Sequence, residues 1–507
     1  MNRMDRMKQI TRHAPVLAAS ALLLGLTGPL AASSSAAAPS APSTPSTPSL
    51  KWTKCEGNGL DPRQRCASIE VPMDYAEPDG RTIDLVISRI PSANPDARRG
   101  ALLMIPGGPG GSSLKDPSEK GQKLPEGVRD AYDLVGFAPR GNAPSSTVSC
   151  GLATGDLATT TLRPWPAPDG SVAQNMASAR RMANACAHSG NPLLRHISTV
   201  DNARDVDRIR AALGERKLSI WGVSYGTYVG AVYSQLFPFR TDRVVLDSND
   251  DPDPTRVNRA WLAAHEQGVE DTFPDFAAWA AAPGNPYRLA GSAADVRPLF
   301  LRLAERLDRD PIPWPGANPE ELNGNVLRQN LLNTLYEPDN YPVLAKLILA
   351  AQDGTVPTAP AAPPEAALQN GAAVGAATLC NDVAWPRSAA VYQKEVAESR
   401  AEYPLTAGMP RNAMVCAAWP YAPKQAPVHI TDSGPSDILL VQNERDPATP
   451  LSGALKLREA LGDRAVMVTV NSTGHDSYLA NGNACGDRTV SRFLATGERP
   501  DEDVYCE

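Results

Sequence analysis

The 507-residue chain has eight cysteines, yet no two of them form a C-x-x-C pair, which argues against a zinc ribbon or a thioredoxin-type redox site. The glycine-rich stretch at 105–113 lacks G-x-G-x-x-G in a dinucleotide context, and no Walker lysine follows it, so phosphate binding is not expected. Basic residues do not exceed acidic ones. The formal net charge of −7 lacks the positive stripe that nucleic-acid binders carry. Beyond the N-terminus no apolar run is long enough for a bilayer span. Between 255 and 430 no segment reads convincingly as a strand, and no internal repeat is visible. Histidine is scarce. With six in all, the search for a general base is confined to His13, His188, His196, His265, His429 and His475.

What is present begins with a leader. Arg3, Arg6, Lys8 and Arg12 precede an apolar run over 16–32, and small residues between Leu30 and Ala38 offer Ala-x-Ala-like cleavage sites. That layout predicts a signal peptide over 1–38. Gly25, Thr27, Gly28 and Pro29 interrupt the run, against a membrane anchor. The tract SSSAAAPSAPSTPSTPS at 33–49 has no apolar periodicity, so 39–51 is read as a leader or linker. Export makes an even number of cysteines read as disulfides. Eight cysteines allow roughly a hundred connectivities. The neighbour pairs Cys55–Cys66, Cys150–Cys186, Cys380–Cys416 and Cys485–Cys506 each bracket one local segment and are the expected set. A hydrophobic share of 42% suits a globular core.

Short aliphatic runs at 83–89, 101–105, 133–137, 218–221, 244–247, 438–442 and 466–470 predict strands. Helical patterns lie between them, such as 200–213 with Val200, Ala203, Val206, Ile209 and Ala212 on one face. Apolar strands alternating with amphipathic helices indicate an α/β protein whose mostly parallel sheet is covered on both sides. The rhythm breaks at 255–430, which is Ala-, Leu- and Trp-rich with helical spacing. The expected organisation is a core in two parts, 52–254 and 431–507, with a largely helical cap inserted between them.

Gly222-Val223-Ser224-Tyr225-Gly226 is a G-x-S-x-G elbow, preceded by a strand-like run and followed by a helix-like one, as the motif requires. Such a turn lifts the serine hydroxyl clear of a sheet, and this makes Ser224 the candidate nucleophile of an α/β-hydrolase fold. The loop IPGGPGGSS at 105–113, directly after a strand, is the candidate oxyanion hole. In this fold one backbone N–H comes from that loop and one from the residue after the nucleophile. Gly108 and Tyr225 are the candidates, with Gly107 as the alternative.

The fold orders its triad as Ser, then Asp or Glu, then His, which leaves His265, His429 and His475. His475 stands just after a late strand, where catalytic groups gather in parallel sheets. The matching acid is Asp446, at the end of ILLVQNERD, with Glu444 as its rival and helix capping as its alternative duty. Ser224, Asp446 and His475 are thus the predicted triad, with no metal or organic cofactor.

With those residues in place, the chain resembles the secreted bacterial tripeptidyl aminopeptidases, relatives of the prolyl iminopeptidases. The likeness is carried by CASIEVPMDYAEPDG (66–80), IPGGPGGSS (105–113), DLVGFAPRG (133–141), DNARDVDRIRAALG (201–214), WGVSYGTYVGAVYSQLFP (221–238), LCNDVAWP (379–386) and VQNERDPATP (441–450). The resemblance implies removal of short peptides, typically three residues, from free N-termini, with the family triad on Ser224, Asp446 and His475. Ala138 stands where the family usually has Asp, Asn142-Ala143-Pro144 replaces a Val-Gly run, and Asp476 follows the histidine where a small residue is common.

An exopeptidase must receive a free ammonium, and Asp382, Glu266, Glu270, Asp250 and Asp251 are the candidate carboxylates. A cap should admit only chain ends to the serine. The expected partners are peptides or proteins with free N-termini, acted on by a secreted monomer that binds neither nucleic acid nor membrane. A secreted carboxylesterase using the same groups is the enzymatic rival. A catalytically inactive binding module is the rival of another class, and the complete Ser–Asp–His set argues against it.

Overall fold

A computed structural model describes residues 50–507. The expected signal peptide at 1–38, and the leader up to 49, lie outside the described residues. Among the described residues the strands are, in chain order, β1 Thr53–Lys54, β2 Arg65–Pro72, β3 Thr82–Ile90, β4 Gly100–Ile105, β5 Tyr132–Phe137, β6 Leu218–Val223, β7 Thr241–Asp247, β8 Ile312–Pro313, β9 Glu321–Leu322, β10 Ile438–Arg445, β11 Ala465–Thr473 and β12 Val504–Cys506. Ten of them form one sheet in the order β1-β2-β3-β5-β4-β6-β7-β10-β11-β12. Neighbours from β5 to β12 run parallel, and β1, β2, β3 and β5 pair antiparallel.

The parallel strands are buried on both faces, which is why they read as unbroken apolar runs. In β4, Leu103 and Ile105 enter the core on one face, and Leu102 and Met104 the core on the other. The helix Thr199–Ala212 covers the first face. Its N-cap Ser198 accepts the N–H of Asp201 (3.2 Å), and Val200, Ala203, Val206 and Ile209 turn inward. All seven expected strands are present; β1, β2 and the three-residue β12 add to them.

Between β7 and β10 the chain forms the helices Arg259–Ala281, Ala293–Arg309, Gly324–Leu335, Tyr341–Gln352, Glu365–Asp382 and Ala389–Glu402. The one departure from a strandless reading is β8 with β9, two residues each. Four of these helices share a core of their own around Phe273, Phe276, Phe300, Leu331 and Leu344. The four disulfides are Cys55–Cys66, Cys150–Cys186, Cys380–Cys416 and Cys485–Cys506, with no free cysteine among the described residues. No helix among the described residues is long and apolar enough to cross a membrane.

Candidate active site

Ser224 leaves β6 and opens the helix Tyr225–Leu236 with φ 56° and ψ −127°. A non-glycine residue holds such a backbone only where its surroundings enforce it, and functional turns are where that happens. The enforcement is close packing. A Cβ on Gly226 would stand 2.4 Å from the Ile105 carbonyl oxygen, so only glycine lets the helix start so near β4. Gly107 lies against the nucleophile: a Cβ there would be 3.0 Å from Ser224 Cβ and 3.5 Å from its Oγ. Among the described residues the N–H groups of Gly107, Gly108 and Tyr225 donate to no other group, which leaves them available to an incoming oxyanion. The Tyr225 side chain points elsewhere, its hydroxyl 2.8 Å from Thr199 Oγ1.

His475 and Asp446 meet beyond the ends of β11 and β10. His475 Nδ1 is 3.0 and 2.9 Å from the two Asp446 oxygens. Asp446 is wholly buried and also accepts the N–H of Ala448 (2.8 Å) and of Thr449 (2.9 Å) and the Thr449 hydroxyl (3.0 Å). Burial pushes the Asp446 carboxyl up, but the His475 charge and hydrogen bonds outweigh it and hold it below the usual range. For His475 burial acts downward, and the Asp446 charge and hydrogen bond override it to raise the imidazole. An imidazole oriented through Nδ1 by a carboxylate presents Nε2 to take a hydroxyl proton. The Ser224 hydroxyl makes no hydrogen bond to a described residue, and such contacts often tighten only in the Michaelis complex. The rivals lie apart. Glu444 pairs with Arg445 and the Tyr505 hydroxyl, His429 is exposed, and His265 is buried with Nε2 3.2 Å from the Tyr336 hydroxyl.

Asp247, which the sequence reading did not single out, joins the two halves of the site. Its carbonyl accepts the Ser224 N–H (2.9 Å), and its buried carboxylate accepts the N–H of Ser477 (2.8 Å) and of Tyr478 (2.9 Å). Next to it, Ser248 Oγ accepts the Asp476 N–H (3.0 Å). The elbow and the histidine turn are therefore both fastened to the end of β7. Burial, and then the neighbouring Asp476 charge, raise the Asp247 carboxyl.

The carboxylates expected to receive an ammonium are already engaged. Asp382 accepts the N–H of Thr199 (2.8 Å), its hydroxyl (2.5 Å) and the Asn258 amide (2.8 Å). Glu266 pairs with Arg411 and accepts the Ser399 hydroxyl (2.7 Å). Glu270 is held by Arg297, and Asp251 by Lys456. Asp250 keeps an unpartnered Oδ1 but is buried, and that burial raises its carboxyl well above the ordinary value. Two less heavily engaged acids stand beside His475: Asp476, whose Oδ2 is 3.9 Å from Lys120 Nζ, and Glu337, which accepts the Asn481 amide at 3.5 Å. Asp476 Oδ1 is 3.6 Å from His475 Nε2. Glu337 is exposed directly after Tyr336, whose carbonyl accepts the His475 N–H (2.8 Å) and whose ring meets the imidazole edge-on at 4.9 Å.

The helices between β7 and β10 touch three loops of the candidate site. Tyr336 lies on His475. A Cβ on Gly268 would stand 2.7 Å from the Asp446 carbonyl oxygen, and one on Gly110 would stand 3.0 Å from that of Gly371.

The strand order, the elbow serine and the buried acid–histidine pair define a serine hydrolase of the α/β-hydrolase fold. The family model described as TAP-like protein matches residues 403–506. The tripeptidyl aminopeptidase of Streptomyces lividans is 32% identical over 471 residues, covering 90% of this chain and 86% of that one. Serine protease Hip1 of Mycobacterium tuberculosis is 28% identical over 485 residues, covering 90% and 91%. A protein named carboxylesterase B, also from M. tuberculosis, is 28% identical over 479 residues, covering 90% and 89%. The chain belongs to the tripeptidyl aminopeptidase family.

Proposed function

We propose that this chain is an exported serine exopeptidase that releases short peptides, of three residues, from free N-termini. Ser224 Oγ attacks the carbonyl carbon of the scissile amide while His475 Nε2 takes its proton. The oxyanion that forms meets the N–H groups of Tyr225 and of Gly108 or Gly107. As the C–N bond breaks, the imidazolium returns the proton to the departing amine, leaving a peptidyl ester on Ser224. Water, deprotonated by His475, then hydrolyses that ester. Asp446 keeps Nδ1 protonated and offsets the positive charge of the imidazolium.

The observation that carries this reading is the buried Asp446–His475 pair, held to the Ser224 elbow through Asp247. The exopeptidase mode is supported by family membership, by the inserted helices resting on every catalytic loop, and by Glu337 standing exposed next to His475. Export is supported by four disulfides.

The test compares a free-amine tripeptide anilide, its N-acetylated form and a short acyl ester. The expected result is turnover of the free-amine anilide with release of an intact tripeptide, and a loss of about 10⁴-fold or more in kcat for Ser224→Ala. Turnover of esters alone favours the carboxylesterase reading, and equal turnover of the acetylated anilide rules out an exopeptidase.

A further inference from the structure

Beside the oxyanion loop lies an apolar cavity of about 220 Å³, lined by Leu152, Leu162, Met182, Leu379 and Met414 and by Gly371 of the helix Glu365–Asp382. No charged or hydrogen-bonding side chain is in its lining. One of its walls also backs the oxyanion loop, and another lies next to a residue hydrogen-bonded to Tyr336. Gly371 and Gly375 line it, and they also pack on the oxyanion loop: a Cβ on Gly375 would stand 3.4 Å from the Pro109 carbonyl oxygen. On the far side Leu162 is followed by Arg163, whose Nη2 donates to the hydroxyl of Tyr336 (3.2 Å), the residue lying on His475.

The walls are fixed. The Gln369 side chain binds both the N–H (2.9 Å) and the carbonyl (2.7 Å) of Leu152. Cys186, in the lining, is bonded to Cys150, and Cys380 ties the helix to Cys416, next to Val415 of the lining. Such a cavity stays open rather than collapsing, which is what selectivity among side chains requires. Gly371 adds an independent observation. Apart from proline, glycine is the least favourable residue in a helix interior, and here packing does not demand it, since a Cβ at this position meets no atom within 4 Å. The absent side chain leaves the cavity unfilled.

We propose that this cavity is the subsite for an apolar side chain, of leucine or phenylalanine size, on the residue whose carbonyl Ser224 attacks. Its volume is below the roughly 300–1,000 Å³ of sites for drug-sized ligands and suits a single side chain. A charged side chain there would lose water and find no partner. The inference rests on the peptidase reading of the same site.

The experiment measures kcat/KM for Ala-Ala-Xaa anilides with Xaa as Gly, Ala, Leu, Phe and Lys. The expected result is a preference for Leu or Phe over Gly of about 10- to 100-fold, with Lys near Gly. Gly371→Leu cuts the Leu-to-Gly ratio at least about tenfold. Gly371→Ala raises the Tm, because alanine favours the helix, while lowering the same ratio. Leu162→Ala widens the cavity and moves the optimum from Leu towards Phe. A flat series in the wild-type protein overturns the proposal, as does an unchanged ratio in folded Gly371→Leu and Leu162→Ala proteins. A protein that a fluorophosphonate labels but that turns over no member of the series defeats the peptidase reading itself.

Discussion

At His475 two acids act on one imidazole. Asp446 holds Nδ1, and Asp476 stands 3.6 Å from Nε2. Each negative charge favours the imidazolium and burial disfavours it; the balance raises the His475 pKa. Only the neutral imidazole can take the Ser224 proton, so activity rises as pH increases through that pKa. Removing the Asp476 charge lowers it, and in Asp476→Asn the acid limb of the kcat/KM profile moves to lower pH by about half a unit or more. An unmoved limb contradicts a direct effect of Asp476 on Nε2. Glu337 is tested separately. Glu337→Gln raises KM for free-amine tripeptide anilides by about tenfold, as expected when a charged hydrogen bond becomes neutral, with kcat nearly unchanged. Equal kinetics of variant and wild type contradict a role in receiving the ammonium. The sequence points to Ser224, Asp446 and His475 because each follows an apolar strand and carries a local motif. Which of the candidate carboxylates are already paired was not legible. Whether an acid is free depends on distant partners such as Arg411 for Glu266 or Thr199 for Asp382, which no local pattern reveals.

At the level of elements, the helix Arg259–Ala281 crosses the Asp446 loop at Gly268, where a Cβ would stand 2.6 Å from the Pro447 carbonyl oxygen. Neither backbone can yield without moving Asp446 or the helix. Gly268→Val therefore lowers kcat at least tenfold and costs about 1–3 kcal/mol of stability, read from urea unfolding beside the kinetics. Wild-type values for both contradict the contact. Six of the seven core strands were legible because a strand buried on both faces is a continuous apolar run, whereas β3 alternates buried and exposed residues. Strand β2, beside the edge strand β1, was missed because one face is exposed, so Cys66, Ser68 and Glu70 alternate with buried Ala67, Ile69 and Val71. The three residues of β12 are too few to carry a pattern. The helical nature of 255–430 was readable from spacing, whereas its landing points on the catalytic loops were not, because Tyr336, Gly268 and Gly371 look like ordinary helix residues until the chain is folded.

Across the described residues, one mostly parallel sheet brings the proposed nucleophile, acid and base from three separated stretches of chain to the carboxyl ends of its strands. An insertion of six helices closes over them, and disulfides brace the walls of the adjoining cavity. Every functional statement depends on Ser224 being the activated hydroxyl. The direct measurement is fluorophosphonate labelling of the folded protein with the adduct located by peptide mass spectrometry. A single adduct on Ser224 is expected, absent in Ser224→Ala and formed at least about 100-fold more slowly in His475→Ala. An adduct on another serine, or none on a folded protein, contradicts that assignment of Ser224.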